Sequence, residues 1–178
     1  NVMDECYVQE QKINNGSVES FLSSGEKVNS NLIIGCDGQN SGTANFAKIS
    51  QFGWNYDQTS LVCAIGHEKS HKNCAHQLFK PAGPIAILPL SGNRSSIVWT
   101  EETKKAEFIN QLNEKDYIDI LKSKLNIDLG DISLSGKKFS YPLTLSLREN
   151  FISSRVALVG DSAHGIHPLA GQGLNLGL

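Results

Sequence analysis

Two short apolar runs near opposite ends of the chain each break off at a glycine and an aspartate. Leu32-Ile-Ile34 leads into Gly35-Cys-Asp-Gly38, and Arg155-Val-Ala-Leu-Val-Gly160 leads into Asp161. An apolar run of this length, bounded by glycine, reads as a buried strand. A carboxylate directly after such a strand stands at the carboxyl edge of an α/β sheet, where nucleotide sugars bind. Both ends of the chain are therefore expected to be α/β in character.

The stretch between them reads as a β layer with a pair of helices. Residues 5–13, 18–22 and 31–35 have strand character, with turns at Asn14-Asn-Gly16 and Ser23-Ser-Gly25. Further strands are expected over 61–66, 76–80, 85–90 and 96–100. In 103–112, Ala106, Phe108, Ile109 and Leu112 have helical spacing. Asn113 offers an N-cap with Asp116 at the third helical position, and Tyr117, Ile118, Leu121 and Leu125 line one face of a second helix. Phe139, Tyr141, Leu143, Leu145 and Leu147 alternate strictly, which predicts that they share one face of a strand.

Composition excludes more than it assigns. With 39% hydrophobic and 19% charged residues, the sequence is neither a disordered tail nor a coiled coil. A net charge of −2 leaves no electrostatic footprint for nucleic acid. The longest apolar runs, such as that from Pro84 to Leu90, are too short to span a bilayer. Cys6, Cys36, Cys63 and Cys74 lack CxxC spacing, as expected of reduced thiols in the cytoplasm. The chain opens at Asn1 without an initiator Met. Gly171-Gln-Gly-Leu-Asn-Leu-Gly-Leu178 reads as a glycine turn with only about one turn of helix after it, too short to stand alone. An internal segment of a longer protein is expected, and any function belongs to that parent.

Two local patterns suggest different chemistry. His67-Glu-Lys-Ser-His71 fits HExxH, which on a helix would make a zinc hydrolase, with Cys74 or His76 as a third ligand. Here an apolar, strand-like run and Gly66 precede it, and polar residues follow, so a solvated hairpin tip is the better reading. The glycines from Gly171 to Gly177 resemble a dinucleotide fingerprint, but Leu176 stands where the third glycine belongs. Glycines at a helix start still let the backbone approach a flat or anionic group. Asp161, His164, His167-Pro168, Gly171 and Gly173 crowd the segment between strand and helix, a density unusual for plain structure.

Taken together, Gly35-Cys-Asp37-Gly38-Gln-Asn-Ser41 and Gly160-Asp161-Ser-Ala-His164 with His167-Pro168-Leu-Ala-Gly171-Gln172-Gly173-Leu174-Asn175-Leu-Gly177 resemble the paired signatures of class A flavoprotein monooxygenases. The second signature, with Gly83-Pro84-Ile-Ala-Ile-Leu-Pro89 and Ser95-Ser-Ile-Val-Trp99 between, is similar to the ubiquinone-biosynthesis hydroxylase branch. The resemblance implies an α/β FAD-binding fold of the glutathione-reductase-like, p-hydroxybenzoate hydroxylase type, with a β-sheet substrate domain and without the N-terminal βαβ unit. Residues 1–50 and 151–178 would belong to the FAD-binding domain, and 51–150 to the substrate domain.

It also implies residue roles. Asp161, after Gly160, would bind FAD hydroxyls. Pro168, Gly171, Gln172, Gly173, Leu174 and Asn175 would lie against the flavin ring, and Asp37 and Gly38 would back the cofactor or a passing NADH or NADPH. The reaction would be hydroxylation of an aromatic ring with molecular oxygen, on a polyprenylated phenol of ubiquinone biosynthesis. Phe79, Leu88, Trp99, Tyr141 and Leu143 would line the substrate, their competing role being core packing; no acid–base residue and no metal site is assigned. A ubiquinone-biosynthesis complex would be a partner, in the cytoplasm or peripheral on the inner membrane. The pattern departs from the family at Ala44, where its first motif usually ends in arginine. The alternatives are a flavoprotein of the same fold with another aromatic substrate, a zinc hydrolase using His67, Glu68 and His71, and a structural partner in a biosynthetic complex.

Overall fold

A computed structural model describes residues 2–177. In chain order, β1 (Val8–Ile13), β2 (Val18–Leu22) and β3 (Lys27–Ser30) form an antiparallel meander. The turns fall where Asn14–Gly16 and Gly25 (φ 87°) supply them. Strand β3 was not legible in the sequence, because its Lys-Val-Asn-Ser run is largely exposed and carries no apolar alternation. It is a strand because β2 pairs with it, Val18 opposite Ser30. The expected strand over 31–35 shortens to β4 (Ile33–Gly35). Next comes a short helix that the sequence does not announce, α1 (Gly42–Phe46), whose N-cap Ser41 accepts from the Ala44 N–H at 3.0 Å.

Strand β5 (Gln51–His67) is much longer than the apolar run that announced it. After it, β6 (His76–Lys80), β7 (Gly83–Leu90) and β8 (Arg94–Glu102) follow as an antiparallel meander, and β8 pairs back onto β5. Helices α2 (Thr103–Gln111) and α3 (Glu114–Lys124) lie where their spacing placed them. Asn113 caps α3 through a 3.0 Å bond from the Asp116 N–H. Strand β9 (Ile132–Leu134) adds to β5, and β10 (Phe139–Arg148) is followed by β11 (Ile152–Ser153), β12 (Val156–Leu158) and β13 (His164–Gly165). A single helix of six residues, α4 (Gln172–Gly177), comes last.

The chain divides into two compact units. One holds residues up to Trp54 together with those from Thr144 onward; the other holds Asn55–Leu143. In the second, Leu61, Ile65, Ile85, Ile87, Ile97 and Trp99 from the sheet pack against Ala106, Ile109, Tyr117 and Leu121 from the helices. Each buried Leu or Ile side chain here contributes about 1.5–3 kcal/mol. In the first, Ala44 and Ile49 pack on Val156, Leu158 and Ala163.

Strand β10 corrects the alternation read from its sequence. Phe139 and Tyr141 are exposed and Leu143 is buried, but beyond it Ser146 and Arg148 turn inward, not Leu145 and Leu147. The strand leaves one unit at Leu143 and enters the other at Thr144, and a different face is covered in each.

Candidate functional site

Parallel pairing of β4 with β12 sets Ile33 beside Val156 and Gly35 beside Leu158, so the turns after both strands emerge at one sheet edge. A Cβ at Gly35 would stand 2.9 Å from the Thr43 Cβ, so glycine is what lets α1 sit against the strand. Val159 N–H donates to Gly35 O at 2.9 Å. Ser162 Oγ lies 2.5 Å from the same oxygen and accepts from Val159 N–H at 3.1 Å. This buried hydroxyl stitches the two turns together. Nothing local in the sequence marks Ser162 for this role, because its Gly35 carbonyl partner is set by the fold.

Next to that seam is a cavity of about 510 Å³. The first turn contributes Cys36 and Gly38, and the second contributes Val159, Gly160 and Asp161. Helix α4 closes it with Gly173, Leu174 and Gly177. Gly38 (φ 77°) and Gly160 (φ 66°) hold left-handed backbone that a side chain would strain. At Gly38, Gly160 and Gly173 a Cβ would meet nothing within 4 Å, so the space beside them is a cradle. A Cβ at Gly177 would stand 3.1 Å from Gly160 Cα, which is how α4 reaches the second turn. His164 Nε2 lies 2.9 Å from Leu176 O and ties the helix back. Burial pushes the His167 imidazole below its usual pKa, favouring the neutral ring.

Of the ten residues singled out from the sequence, Gly38, Gly160, Asp161, Gly173 and Leu174 line this cavity. Pro168 begins the 3₁₀ turn before α4, Gly171 (φ 65°) bends the chain there, and Gln172 opens the helix. Asn175 is exposed on α4. Cys36, Val159 and Gly177 also line the cavity, though no role was read for them.

Asp37 does not join this lining. Its carboxylate accepts from Ser41 Oγ at 2.6 Å and from the Thr43 N–H at 3.0 Å, fastening the turn to the start of α1. Partial desolvation raises its pKa, but these hydrogen bonds outweigh that and hold it below the usual carboxylate range. A depressed pKa stabilises the fold above the unfolded-state value, and that contribution is lost as pH falls through the folded-state value. Asp37→Ala is therefore expected to cost about 1 kcal/mol at pH 7, as a lost cap does. In urea titrations the gap from the parent should narrow as pH drops below about 4, the ordinary carboxylate range. A gap independent of pH would refute this role.

The Asn55–Leu143 unit supplies a different surface. On the face turned from the helices, Val62 pairs with Val98, Val98 with Ala86, and Phe79 with Pro84. Phe79 and Leu88 are exposed there, and Tyr141 is exposed on β10. Trp99 is corrected: at 1% exposure it sits on the core face, its ring edge-on to Tyr117 at 6.2 Å, and lines no surface. Leu143 is likewise buried.

The HExxH pattern is not on a helix. His67 ends β5, with Nδ1 2.8 Å from Lys69 O and Nε2 3.0 Å from Ser95 Oγ. His71 Nε2 lies 2.9 Å from Gly92 O, and the Glu68 carboxylate accepts from the Asp131 N–H at 3.2 Å. Strand and turn hydrogen bonding thus occupies all three side chains of the proposed zinc hydrolase. Among the described residues, no group of three His, Cys, Asp or Glu is placed to hold a metal.

A glycine-cradled cavity with one carboxylate, at the carboxyl edge of paired parallel strands, defines a nucleotide-cofactor-binding α/β unit. The family described as FAD binding domain matches residues 7–178, and the chain belongs to it. The chain is 43% identical over 161 residues to ubiquinone hydroxylase UbiL of Rhodospirillum rubrum, covering 90% of this chain and 38% of that protein. It is 36% identical over 194 residues to the mitochondrial ubiquinone biosynthesis monooxygenase COQ6 of Danio rerio, covering 90% of this chain and 40% of that protein. The chain thus spans less than half the length of these relatives.

Among solved structures, aklavinone-11 hydroxylase in complex with FAD and aklavinone matches with a TM-score of 0.76 at 14% identity, over 96% of this chain and 34% of that one. The Diels-Alderase PyrE3 matches with a TM-score of 0.75 at 21% identity, over 97% and 38%. These show the shared fold. The residues present fit a flavin nucleotide: the glycine cradle admits a flat group against backbone, and Asp161 offers an acceptor for hydroxyls at its edge.

Proposed function

We propose that the full-length protein is an FAD-dependent hydroxylase. It would take electrons from NADH or NADPH and use molecular oxygen to hydroxylate an aromatic ring, that of a polyprenylated phenol in ubiquinone biosynthesis. The observation that carries this reading is the 510 Å³ cavity built from both signature turns, in a chain 43% identical to a ubiquinone hydroxylase. FAD supplies the electron-transfer and oxygen chemistry when bound. This chain's residues bind and orient: Asp161 accepts hydrogen bonds from sugar or ribityl hydroxyls, and Gly38, Gly160 and Gly173 leave the backbone bare for a flat ring. Leu174 and Val159 give the cavity an apolar wall.

The apolar sheet face bearing Val62, Ala86, Val98, Leu88 and Phe79 suits a ring that carries a hydrocarbon tail, since exposed apolar patches of this kind mark binding surfaces. Such a substrate partitions into lipid, which favours work at the inner membrane surface and within a ubiquinone-biosynthesis complex. No helix among the described residues is long and apolar enough to cross a membrane. The second reading, a flavoprotein of the same fold with another aromatic substrate, is favoured by the unrelated chemistries found among its structural neighbours.

The test is the visible spectrum of the purified full-length protein. Flavin bands that bleach with NADH or NADPH and return with air support the proposal. A colourless protein that cannot be reconstituted with FAD overturns it.

A further inference from the structure

Arg148 is buried to 7% exposure at the end of β10, on the face the alternation would have left outside. Its backbone N–H donates to Ala163 O at 2.9 Å, two residues beyond Asp161. Its guanidinium reaches the other way: Nη1 donates to Asn45 Oδ1 at 3.3 Å and to Ile49 O at 3.1 Å, at the far end of α1. The next residue continues the same seam, Glu149 N–H donating to Ser50 O at 2.9 Å. Helix α1 carries no basic residue of its own, and position 44 is a fully buried alanine.

A buried cation is costly unless hydrogen bonds compensate it, and the acceptors found here are a carbonyl and an amide. Those acceptors hold one end of α1, and Asp37 holds the other. The cavity's two turns are thus joined twice, at the strand ends by Ser162 and behind α1 by Arg148.

We propose that Arg148 is a positioning residue for the cofactor cavity: acting through α1, it holds the Cys36–Gly38 turn in register with the Gly160–Asp161 turn. This rests on the FAD reading for its functional consequence, but the bracing itself does not. Without the guanidinium, α1 is released at its C-terminal end, and the Gly38 side of the cradle loses its fixed distance from Gly160.

The test compares Arg148→Met, Arg148→Lys and Asn45→Ala in the full-length protein, by FAD titration and by amide hydrogen exchange of the apoprotein. Arg148→Met is expected to weaken FAD binding by about ten-fold or more, the equivalent of one charge-assisted hydrogen bond. It should speed exchange at Thr43–Lys48 while leaving β6–β8 unchanged. Arg148→Lys keeps the charge but not the planar guanidinium whose Nη1 meets both acceptors, and should recover part of the affinity, and Asn45→Ala should move both readouts less, in the same direction. Wild-type FAD affinity with unchanged α1 exchange in Arg148→Met overturns the proposal. If that variant does not fold, wild-type behaviour of Asn45→Ala in both readouts overturns it. If the parent itself binds no FAD, the cofactor reading fails and the exchange arm decides alone: faster exchange confined to α1 supports the brace, and unchanged exchange overturns it.

Discussion

Asp161→Ala is expected to lower the affinity of the full-length protein for FAD by about a hundred-fold, as the loss of one or two hydrogen bonds to a charged acceptor would. Its carboxylate is exposed at the cavity edge and follows Gly160, whose left-handed backbone leaves no side chain in the way. Because the group is exposed, its removal should leave the thermal midpoint of the apoprotein nearly unchanged. That separation of affinity from stability distinguishes a ligand contact from a capping role. His71→Ala serves as the control, since its imidazole is engaged by the carbonyls of Leu90 and Gly92, the Asn73 N–H and the His67 ring, and flavin occupancy should not change. Wild-type FAD affinity in Asp161→Ala would falsify the assignment. Loss of occupancy in His71→Ala with none in Asp161→Ala would return attention to the metal.

The largest stability effect is expected at Gly53. A Cβ there would stand 2.1 Å from the carbonyl oxygen of Leu145 and 3.2 Å from Ser146 Cα, all backbone. No rotamer change relieves a clash with backbone, so the strands must separate or their hydrogen bonds must break. Gly53→Ala is expected to cost about 3 kcal/mol, the upper end for an overpacked site. Gly16→Ala adds a methyl where nothing lies within 4 Å and should stay within about 0.5 kcal/mol of the parent. Urea denaturation of the two variants decides the matter: equal midpoints would show that β5 and β10 are not held so closely at this point.

The fold alone does not choose the reaction. The Diels-Alderase PyrE3 and aklavinone-11 hydroxylase match the chain about equally well in shape while their names give different reactions. What favours the proposed hydroxylation is the closer sequence likeness to ubiquinone hydroxylases, and the redox spectrum tests the flavin chemistry it requires.

Much of this was open to a reader of the sequence, for local reasons. Glycines and aspartates after apolar runs mark strand ends whatever surrounds them, so Gly38, Gly160 and Asp161 could be picked out without coordinates. Helix α3 was legible because its cap and its apolar face are both written within a dozen residues, Asn113 to Lys124. At His67–His71 the strand-like run before the motif already spoke against a zinc helix, whereas the apolar alternation of β10 misled because the buried face reverses along the strand.

Tertiary structure decided what depends on residues distant in the chain. Pairing of β4 with β12 brings Gly35 to Leu158, and only then do the two turns, α4 and Cys36 enclose one cavity. The burial of Arg148, the stitching by Ser162 and the withdrawal of Trp99 into the core follow from packing partners that no nearby residue announces. Backbone propensity and short-range hydrogen bonding are encoded within a few residues of the group they act on. Burial and cavity shape belong to the assembled elements, and so they appear only once the chain has folded.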